Sequence, residues 1–411
     1  MPIPTEQILD VLRHYGITPL DDDYAEIDLP GIGRIEEGEG VYSTSLAEVF
    51  GRGDDERLET PQAPWIDDPR MLDWLGDLER VMEQGERSIT QPRPRHKPEA
   101  PEPHCAWYCP IHFFGHGWGT YIRESCILSH ALDIATFVHW PSVRLARWAM
   151  ARDLLRSAFY IFFLHEQLHH KVESLGLRLL VSTGRDRYRP YKADVYRRTF
   201  NTAGCVEESL ANAESYRRLN ERRYTQRLDP AILAGLRRYL KWSIPQQPPG
   251  YREGVHFLSE HLYRDGLYRL QSQVLDGKLA PSTPGAHWSV APNMITSLAD
   301  IADDIYVVLP KGGRPIFRPT NIDPGATVSS RALEGALTRH YGYQPAPGGK
   351  GSHVKLKKPG SPTIILPGNR PTVSPGVVKS VLDAVGGYPI SRISDLLEGR
   401  LVASVGGSSH R

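Results

Sequence analysis

The chain has 411 residues, 49 basic and 48 acidic side chains, a net charge of +1 and a hydrophobic fraction of 40%. This balance excludes a globally basic nucleic-acid-binding protein and an intrinsically disordered one. The length predicts two or three folded domains. Because the N-terminus has no apolar signal core and no later stretch approaches the ~18 apolar residues of a membrane span, we expect a cytoplasmic protein with no membrane partner.

The four cysteines, Cys105, Cys109, Cys126 and Cys205, are too few for a disulfide framework, so we expect reduced thiols. Two of them lie in HCAWYCPIH, whose CxxxC spacing differs from the CxxC of zinc knuckles. The segment therefore predicts a packed strand entry rather than a metal site.

The first 275 residues divide into three parts. Residues 1–91 contain an amphipathic start and the helix-like DPRMLDWLGDLERVMEQ, without chemistry that can be named. Residues 92–103 are rich in Pro and charge, which predicts a linker and a domain boundary. Residues 104–275 open with β-branched and aromatic residues around Gly turns, typical of an edge strand beside a cleft, and continue as helices. We therefore expect an α+β fold, mainly helical with a small edge sheet.

A long helix is predicted after Ser142, where apolar positions recur at three- and four-residue spacing. Ser142 itself is the expected N-cap. Near Phe162 the helix is apolar nearly all round, so we expect it to be buried in the middle of its domain. Further on, Asp229 and Pro230 are the expected N-cap and first residue of another helix.

The stretch IFFLHEQLHHKVESLG, inside the long helix, contains an HExxH pattern. His165 and His169 are four residues apart, so both can present a nitrogen to one ion, and Glu166 lies beside them. In this arrangement one zinc ion lowers the pKa of its bound water toward ~7, while the glutamate takes the proton. The pattern indicates amide hydrolysis. Because HExxH also occurs by chance, histidines satisfied in a core, with Glu166 in an ion pair, are the alternative.

A third zinc ligand is needed, and Val172 and Leu175 exclude the HExxHxxGxxH subclass. Further on, VEESLANAES supplies Glu208, 39 residues beyond His169, and Asn212 one turn later. Here the chain resembles the thermolysin-like gluzincin metallopeptidases. The resemblance implies that Glu208 completes the zinc site and that Asn212, where the family often has Asp, hydrogen-bonds a zinc-binding imidazole.

Three neighbouring residues need separate interpretations. Glu207 stays open as the alternative third ligand. His170 points about 100° away from the metal face, so we expect a packing role. Glu173, one turn beyond His169, is expected to pair with an imidazole or with a basic neighbour and to support the metal ligands from behind.

The C-terminal part begins with residues 276–328, a connecting segment rich in Gly, Pro and Ser. Residues 329–390 carry helix, strand and helix signals, and residues 391–411 form a tail. In the strand SHVKLKK, alternation sends Val354 and Leu356 to the core and His353, Lys355 and Lys357 to the open face. Such lysines suit phosphate contacts, and the histidine could move a proton at a ribose hydroxyl.

The segments GYQPAPGGKGSHVKL, TIILPG and VSPGVVKSVLDAVG resemble HicA-type mRNA interferase toxins. The resemblance implies an α-β-β-β-α fold like that of double-stranded-RNA-binding domains. It also implies a catalytic role for His353 and RNA contacts for Lys350, Lys355 and Lys357. The segment LKKPGSPTIILPGNRPT departs from the usual His-rich strand ending, so RNA binding without cleavage is the alternative.

Together these motifs predict a zinc metallopeptidase, acting on a protein or peptide substrate, fused to a HicA-like domain that contacts RNA. The fusion suggests a toxin or phage-defence protein with an antitoxin protein as a further partner. A second hypothesis is an RNA endonuclease toxin whose N-terminal metal-binding domain is regulatory and not proteolytic. A third is a binding protein in which both sites are inactive.

Overall fold

The computed structural model combines many helices with two small β-sheets, which confirms the α+β class. It describes residues 5–19, 29–44, 69–85, 104–145, 147–225, 228–279, 305–311, 328–347, 353–368, 373, 375–388 and 393–401. The predicted linker, residues 92–103, lies outside these ranges. Among the helices that the structure describes, none has the length and apolar character needed to cross a membrane.

The elements are numbered in chain order. The helices are α1 (Thr5–His14), α2 (Pro69–Gly85), α3 (Ile111–Phe114), α4 (Glu124–Ala135), α5 (Arg147–Thr183), α6 (Tyr188–Tyr191), α7 (Arg197–Thr199), α8 (Val206–Arg217), α9 (Arg222–Thr225), α10 (Pro230–Ser243), α11 (Glu260–Asp276), α12 (Ser330–His340), α13 (Pro375–Gly386) and α14 (Ile393–Leu397). A π-helical turn, Lys192–Tyr196, joins α6 to α7. The 3₁₀ turns are Gly115–Gly117, Trp140–Ser142, Arg218–Asn220, Ile244–Gln246 and Arg252–Phe257.

The first sheet has the strand order β1-β4-β3-β2, with β1 (Gly40–Thr44), β2 (Ala106–Cys109), β3 (Gly119–Arg123) and β4 (Ile305–Leu309). β4 pairs antiparallel with β1 and parallel with β3, and β3 pairs antiparallel with β2. The sheet joins parts of the chain that the sequence analysis separated, because β1 comes from residues 1–91 and β4 from the segment 276–328. β2 is an edge strand beside a cavity, as its sequence predicted.

The helical layer is organised around α5, which packs against α4 and α8. Near its centre the helix is buried on every side, as expected: Phe159 and Leu164 are fully buried in one apolar cluster, and Leu168 and Val172 in the next. The start of α5 differs from the prediction. Ser142 ends a 3₁₀ turn, its hydroxyl is hydrogen-bonded to His139 Nδ1 at 2.7 Å, and the helix begins at residue 147.

Two other sequence expectations concern α10 and the cysteines. Asp229 caps α10 as predicted, since its Oδ1 accepts the backbone N–H of Ala231 at 2.8 Å.

The expectation of four thiols is wrong, because Cys105, just before β2, forms a disulfide with Cys126 in α4. Burial raises the pKa of Cys205, which remains a thiol, to about 12.

The C-terminal module has its own sheet, β5-β6-β7, formed by β5 (Gln344–Ala346), β6 (His353–Lys357) and β7 (Ile364–Pro367). Helices α12 and α13 flank these strands in sequence, which gives the expected α-β-β-β-α order, and α14 follows. The apolar stripe of α13, with Val381 and Leu382, shares a core with Leu337 of α12 and Leu356 of β6. Helix α13 also contacts β1 of the first sheet.

A glycine permits the close approach of the 3₁₀ turn Arg252–Phe257 to α8. A Cβ atom on Gly254 would lie 2.8 Å from the carbonyl oxygen of Ser209 and 2.9 Å from Cβ of Asn212. The carbonyl of Ser209 belongs to the backbone of α8, so it cannot move aside as the end of a flexible side chain could. The glycine therefore fixes the distance between this turn and the helix that carries Glu208.

We predict that Gly254→Ala lowers the free energy of unfolding by about 1–3 kcal/mol, because it overpacks this interface. Gly76→Ala in α2 is the matched control. Among the described residues, no atom outside the helix backbone lies within 4 Å of the place that a Cβ atom would take at Gly76. Alanine there should be neutral or stabilising by about 0.5–1 kcal/mol. Urea unfolding followed by circular dichroism measures both. Equal stability of the two variants would contradict the tight packing at Gly254.

Candidate metal centre

Three ligand atoms converge where α5 and α8 cross. His165 and His169 lie on one face of α5, and Glu208 lies on α8. Glu208 Oε2 is 3.1 Å from Nε2 of His165 and 3.6 Å from Nε2 of His169. Ligand atoms around a tetrahedral zinc ion, with bonds of about 2.1 Å, are about 3.4 Å apart. All three ligand atoms lie within 4.8 Å of one another, so two nitrogens and one oxygen could hold one metal ion.

Two adjacent residues near the C-terminal end of α8 hold it in register with α5. The Ser215 hydroxyl donates to the carbonyl oxygen of Ile161 at 2.9 Å. Glu214 forms an ion pair with Lys171. These contacts set the register that aims Glu208 at the histidines.

Asn212 orients His165, as the sequence predicted. Its two amide N–H groups donate to Gln247 Oε1 at 2.6 Å and to the carbonyl oxygen of Tyr251 at 3.0 Å. Its Oδ1 therefore accepts the Nδ1–H of His165 at 2.9 Å. This places a proton on Nδ1 and directs Nε2 at the ligand cluster.

Glu207, which the sequence left open as a ligand, lies behind His169 instead. Its Oε1 is 2.6 Å from Nδ1 of His169 and accepts Lys192 Nζ at 2.9 Å. Its Oε2 accepts the hydroxyl of Tyr191 at 2.6 Å. Glu207 thus orients an imidazole, while Glu208 faces the cluster and accepts the hydroxyl of Tyr196 through Oε1.

The residues that contact these two glutamates were missed by sequence reasoning. Tyr191, Lys192 and Tyr196 belong to α6 and the π-helical turn that follows it. In an α-helix, residues five apart point in different directions, whereas a π-helical turn aligns them. The two tyrosines can therefore both reach α8. A π-helical turn leaves no periodic signal in the sequence.

The candidate ligands influence one another's pKa values. Burial opposes the ionised form of Glu208, but the positive charges and hydrogen bonds of His169 and His165 hold the pKa of its carboxyl well below the usual range. Burial lowers the pKa of His169, but Glu208 and Glu207 together raise it to about 10. A metal dication bound to the three ligands would supply the positive charge that a protonated imidazole otherwise provides to Glu208.

Glu166 lines the same cavity as the candidate ligands. It is only 5% exposed. Burial raises the pKa of its carboxyl, and the two neighbouring imidazoles counteract part of that effect. The sequence predicted Glu166 beside the two histidines, and its side chain does line the cavity that His165 and His169 line.

The cavity has a volume of about 520 Å³. Its walls are largely apolar and aromatic, with Ile161, Phe162, Phe200, Tyr239 and Tyr251 among them. The edge strand β2 and the N-terminal segment around Gly31 also line the cavity. The volume falls in the range of ligand-binding clefts.

Glu173 pairs with an imidazole, as predicted, but this imidazole is His112 and not a candidate ligand, so its expected place beside the metal ligands is wrong. Its carboxylate accepts the hydroxyl of Tyr108 at 2.6 Å and the backbone N–H groups of Ile111 and His112 at 3.1 and 2.9 Å. It also lies 2.6 Å from Nδ1 of His112. A step of four residues along a helix rotates the side chain by about 400°, which is 40° past a full turn, so Glu173 faces the β2–α3 corner instead. His170 packs there too, 2.8 Å from the Tyr108 hydroxyl, as expected.

The C-terminal strand β6 follows its predicted alternation only in part. Leu356 is fully buried and Lys357 is exposed, but His353 is half-buried with its Nε2 atom out of contact with solvent. The expectation of a histidine displayed to solvent is therefore wrong. Lys355 is half-buried, and Lys350 lies outside the described residues. The predicted RNA contacts and the catalytic role of His353 remain predictions.

A half-buried histidine that lines the cavity, His130, makes stability depend on pH. The Tyr239 hydroxyl lies 2.7 Å from Nδ1 of His130, and burial lowers the pKa of this imidazole from 6.5 to about 4. Protonation is thus penalised in the folded state. Stability from this group is present above pH 6.5 and is lost as the pH falls toward 4, by up to about 3 kcal/mol.

We predict that His130→Gln removes this contribution to the pH dependence. Urea midpoints measured at pH 7, 5.5 and 4.5 should fall more steeply for the wild type than for the variant. Carboxyl titration affects both proteins equally, so the difference isolates His130. Parallel curves would show that this imidazole titrates normally.

Comparison with known proteins leaves the resemblances untested. No family model matches the chain, and no curated protein or solved structure matches it. The gluzincin-like and HicA-like assignments therefore rest on the motifs, and the geometry of the metal centre is the observation on which a function can be proposed.

Proposed function

We propose that the chain is a zinc-dependent metallopeptidase that binds one ion through His165, His169 and Glu208. The observation that carries the proposal is the convergence of the three ligand atoms, with Glu208 Oε2 at 3.1 and 3.6 Å from the two imidazole nitrogens. Both imidazoles are also held from behind, by Asn212 and Glu207. Orienting groups of this kind are typical of metal ligands.

The donor set favours zinc over calcium or magnesium. Two imidazole nitrogens and one carboxylate oxygen suit zinc, whereas calcium and magnesium prefer oxygen ligands. Three protein ligands leave a position open, which is the arrangement of catalytic rather than structural zinc sites. The alternative, a pair of histidines satisfied within a core, does not account for a cavity that reaches both rings.

The chemistry follows from the placement of Glu166. A bound zinc ion would polarise a substrate carbonyl and lower the pKa of water. The carboxylate of Glu166, buried beside the ligands, is placed to accept a proton from the attacking water and to give it to the leaving amine. The apolar walls of the cavity suit a short, extended stretch of a protein or peptide substrate.

We predict one zinc ion per chain in the wild type and its loss in His169→Ala and in Glu208→Ala. His170→Gln is the matched control, because this neighbouring histidine contacts Tyr108 rather than the cluster and should retain zinc. Elemental analysis of purified protein measures the stoichiometry, and circular dichroism confirms folding. Full zinc content in both ligand variants would eliminate the proposed site.

We predict that Glu166→Gln lowers the rate of peptide hydrolysis by about 10²–10⁴-fold, because it removes the group that transfers the proton. The zinc content should stay at one, since Glu166 is not among the ligands. His353→Ala, in the C-terminal module, should leave hydrolysis unchanged. Hydrolysis of an unfolded protein substrate is the measurement. A fully active, zinc-loaded Glu166→Gln would assign the proton transfer elsewhere.

A further inference from the structure

A short N-terminal strap, Leu29–Ile32, lies along the cavity of the candidate metal centre. The side chains of Leu29 and Ile32 pack against the apolar cluster around Trp107 on the first sheet. On the other side, Gly31 approaches the helical layer so closely that a Cβ atom would lie 2.9 Å from the hydroxyl oxygen of Tyr196. The strap therefore bridges the sheet and the helices across the cavity.

The contact at Gly31 reaches the metal centre through one hydroxyl. Tyr196 donates its hydroxyl to Glu208, the ligand supplied by α8. The ring of Phe200 would lie 3.3 Å from the same Cβ position, so the helical side of the contact is closely packed. The φ of Gly31 is +82°, in the region that favours glycine. Both its backbone conformation and its surroundings thus require glycine.

The strap is held more firmly at one end than across the cavity. After Gly33, which packs directly on the ring of Trp107, the carbonyl oxygen of Arg34 accepts Nη2 of Arg123 at 2.6 Å. Arg123 is buried and also pairs with Glu39. Across the cavity, Gly31 is seated against Tyr196 and Phe200 by close packing. Separation at Gly31 would leave the anchor at Arg123 in place.

Building on the proposed function, we propose that the strap is a lid that closes the metal centre and swings from its anchor at Arg123. Opening separates Gly31 from Tyr196 and Phe200. A polypeptide substrate needs this opening because its chain must continue on both sides of the cavity. The strap therefore controls the rates at which both an ion and a substrate reach the site.

The test compares two glycines of the same segment. Alanine at a left-handed position adds about 1–2 kcal/mol of backbone strain. In Gly31→Ala this strain, together with the contact with Tyr196, disfavours the closed strap. In Gly38→Ala the same strain arises at φ +86°, but the neighbour is the flexible side chain of Lys311 rather than the cavity.

Zinc exchange with a chelator, followed by stopped-flow, is the measurement. In Gly31→Ala we expect zinc binding and zinc release both to accelerate by about tenfold, equivalent to about 1.4 kcal/mol, with Kd unchanged. Gly38→Ala should match the wild type. Unchanged rates in Gly31→Ala would overturn the proposal. So would a weaker Kd with unchanged association, because the strap would then only shape the ligand Glu208.

A second readout separates this proposal from the proposed function. If the wild type binds no zinc, the metallopeptidase proposal fails, but the lid still predicts faster modification of His165 by diethyl pyrocarbonate in Gly31→Ala than in Gly38→Ala. Peptide mass mapping of the metal-free protein measures this rate, and equal rates overturn the lid. If Gly31→Ala does not fold, Phe200→Leu, which reduces the packing that holds Gly31 closed, should accelerate the same reactions, and wild-type rates would overturn the lid.

Discussion

The antiparallel packing of α8 against α5 is the contact on which the candidate metal centre depends. Helix α5 supplies two imidazoles one turn apart, and α8 supplies the carboxylate that faces both. A rotation of α8 by one residue, about 100°, would exchange Glu208 for Glu207. The Ser215–Ile161 and Lys171–Glu214 contacts, near the C-terminal end of α8, oppose that rotation. The identity of the third ligand is therefore a property of helix packing.

Two adjacent buried carboxylates would be strongly unfavourable unless each had compensating partners, because desolvation penalises the ionised form. Glu207 and Glu208 are each 1% exposed. Glu207 is compensated by Lys192 and His169, and Glu208 by the two histidines and a tyrosine hydroxyl. The compensation differs in kind. Glu207 has a permanent cation from the chain, whereas Glu208 depends on positive charge in the cluster itself, which a metal ion can replace.

The sequence predicted the parts of this site that follow local helical geometry. The spacing of His165 and His169 and the position of Asn212 one turn after Glu208 follow from 3.6 residues per turn. The same geometry placed Glu173 near the site, but it could not reveal the four competing hydrogen-bond donors at the β2–α3 corner. The π-helical turn that brings Lys192 to Glu207 breaks the helical period, so it could not be predicted.

The first sheet shows why the sequence did not predict that residues 1–91 and 276–328 contribute strands to one sheet. Strand pairing is non-local, and β4 inserts between β1 and β3 although some 180 residues separate it from β3 and more from β1. No pattern within a single strand specifies that neighbour. Because β1 joins this sheet, the residues before it are brought beside Trp107 and along the cavity. An N-terminal region without recognisable chemistry thus becomes one wall of the cavity at the candidate metal centre, through the pairing of a distant strand.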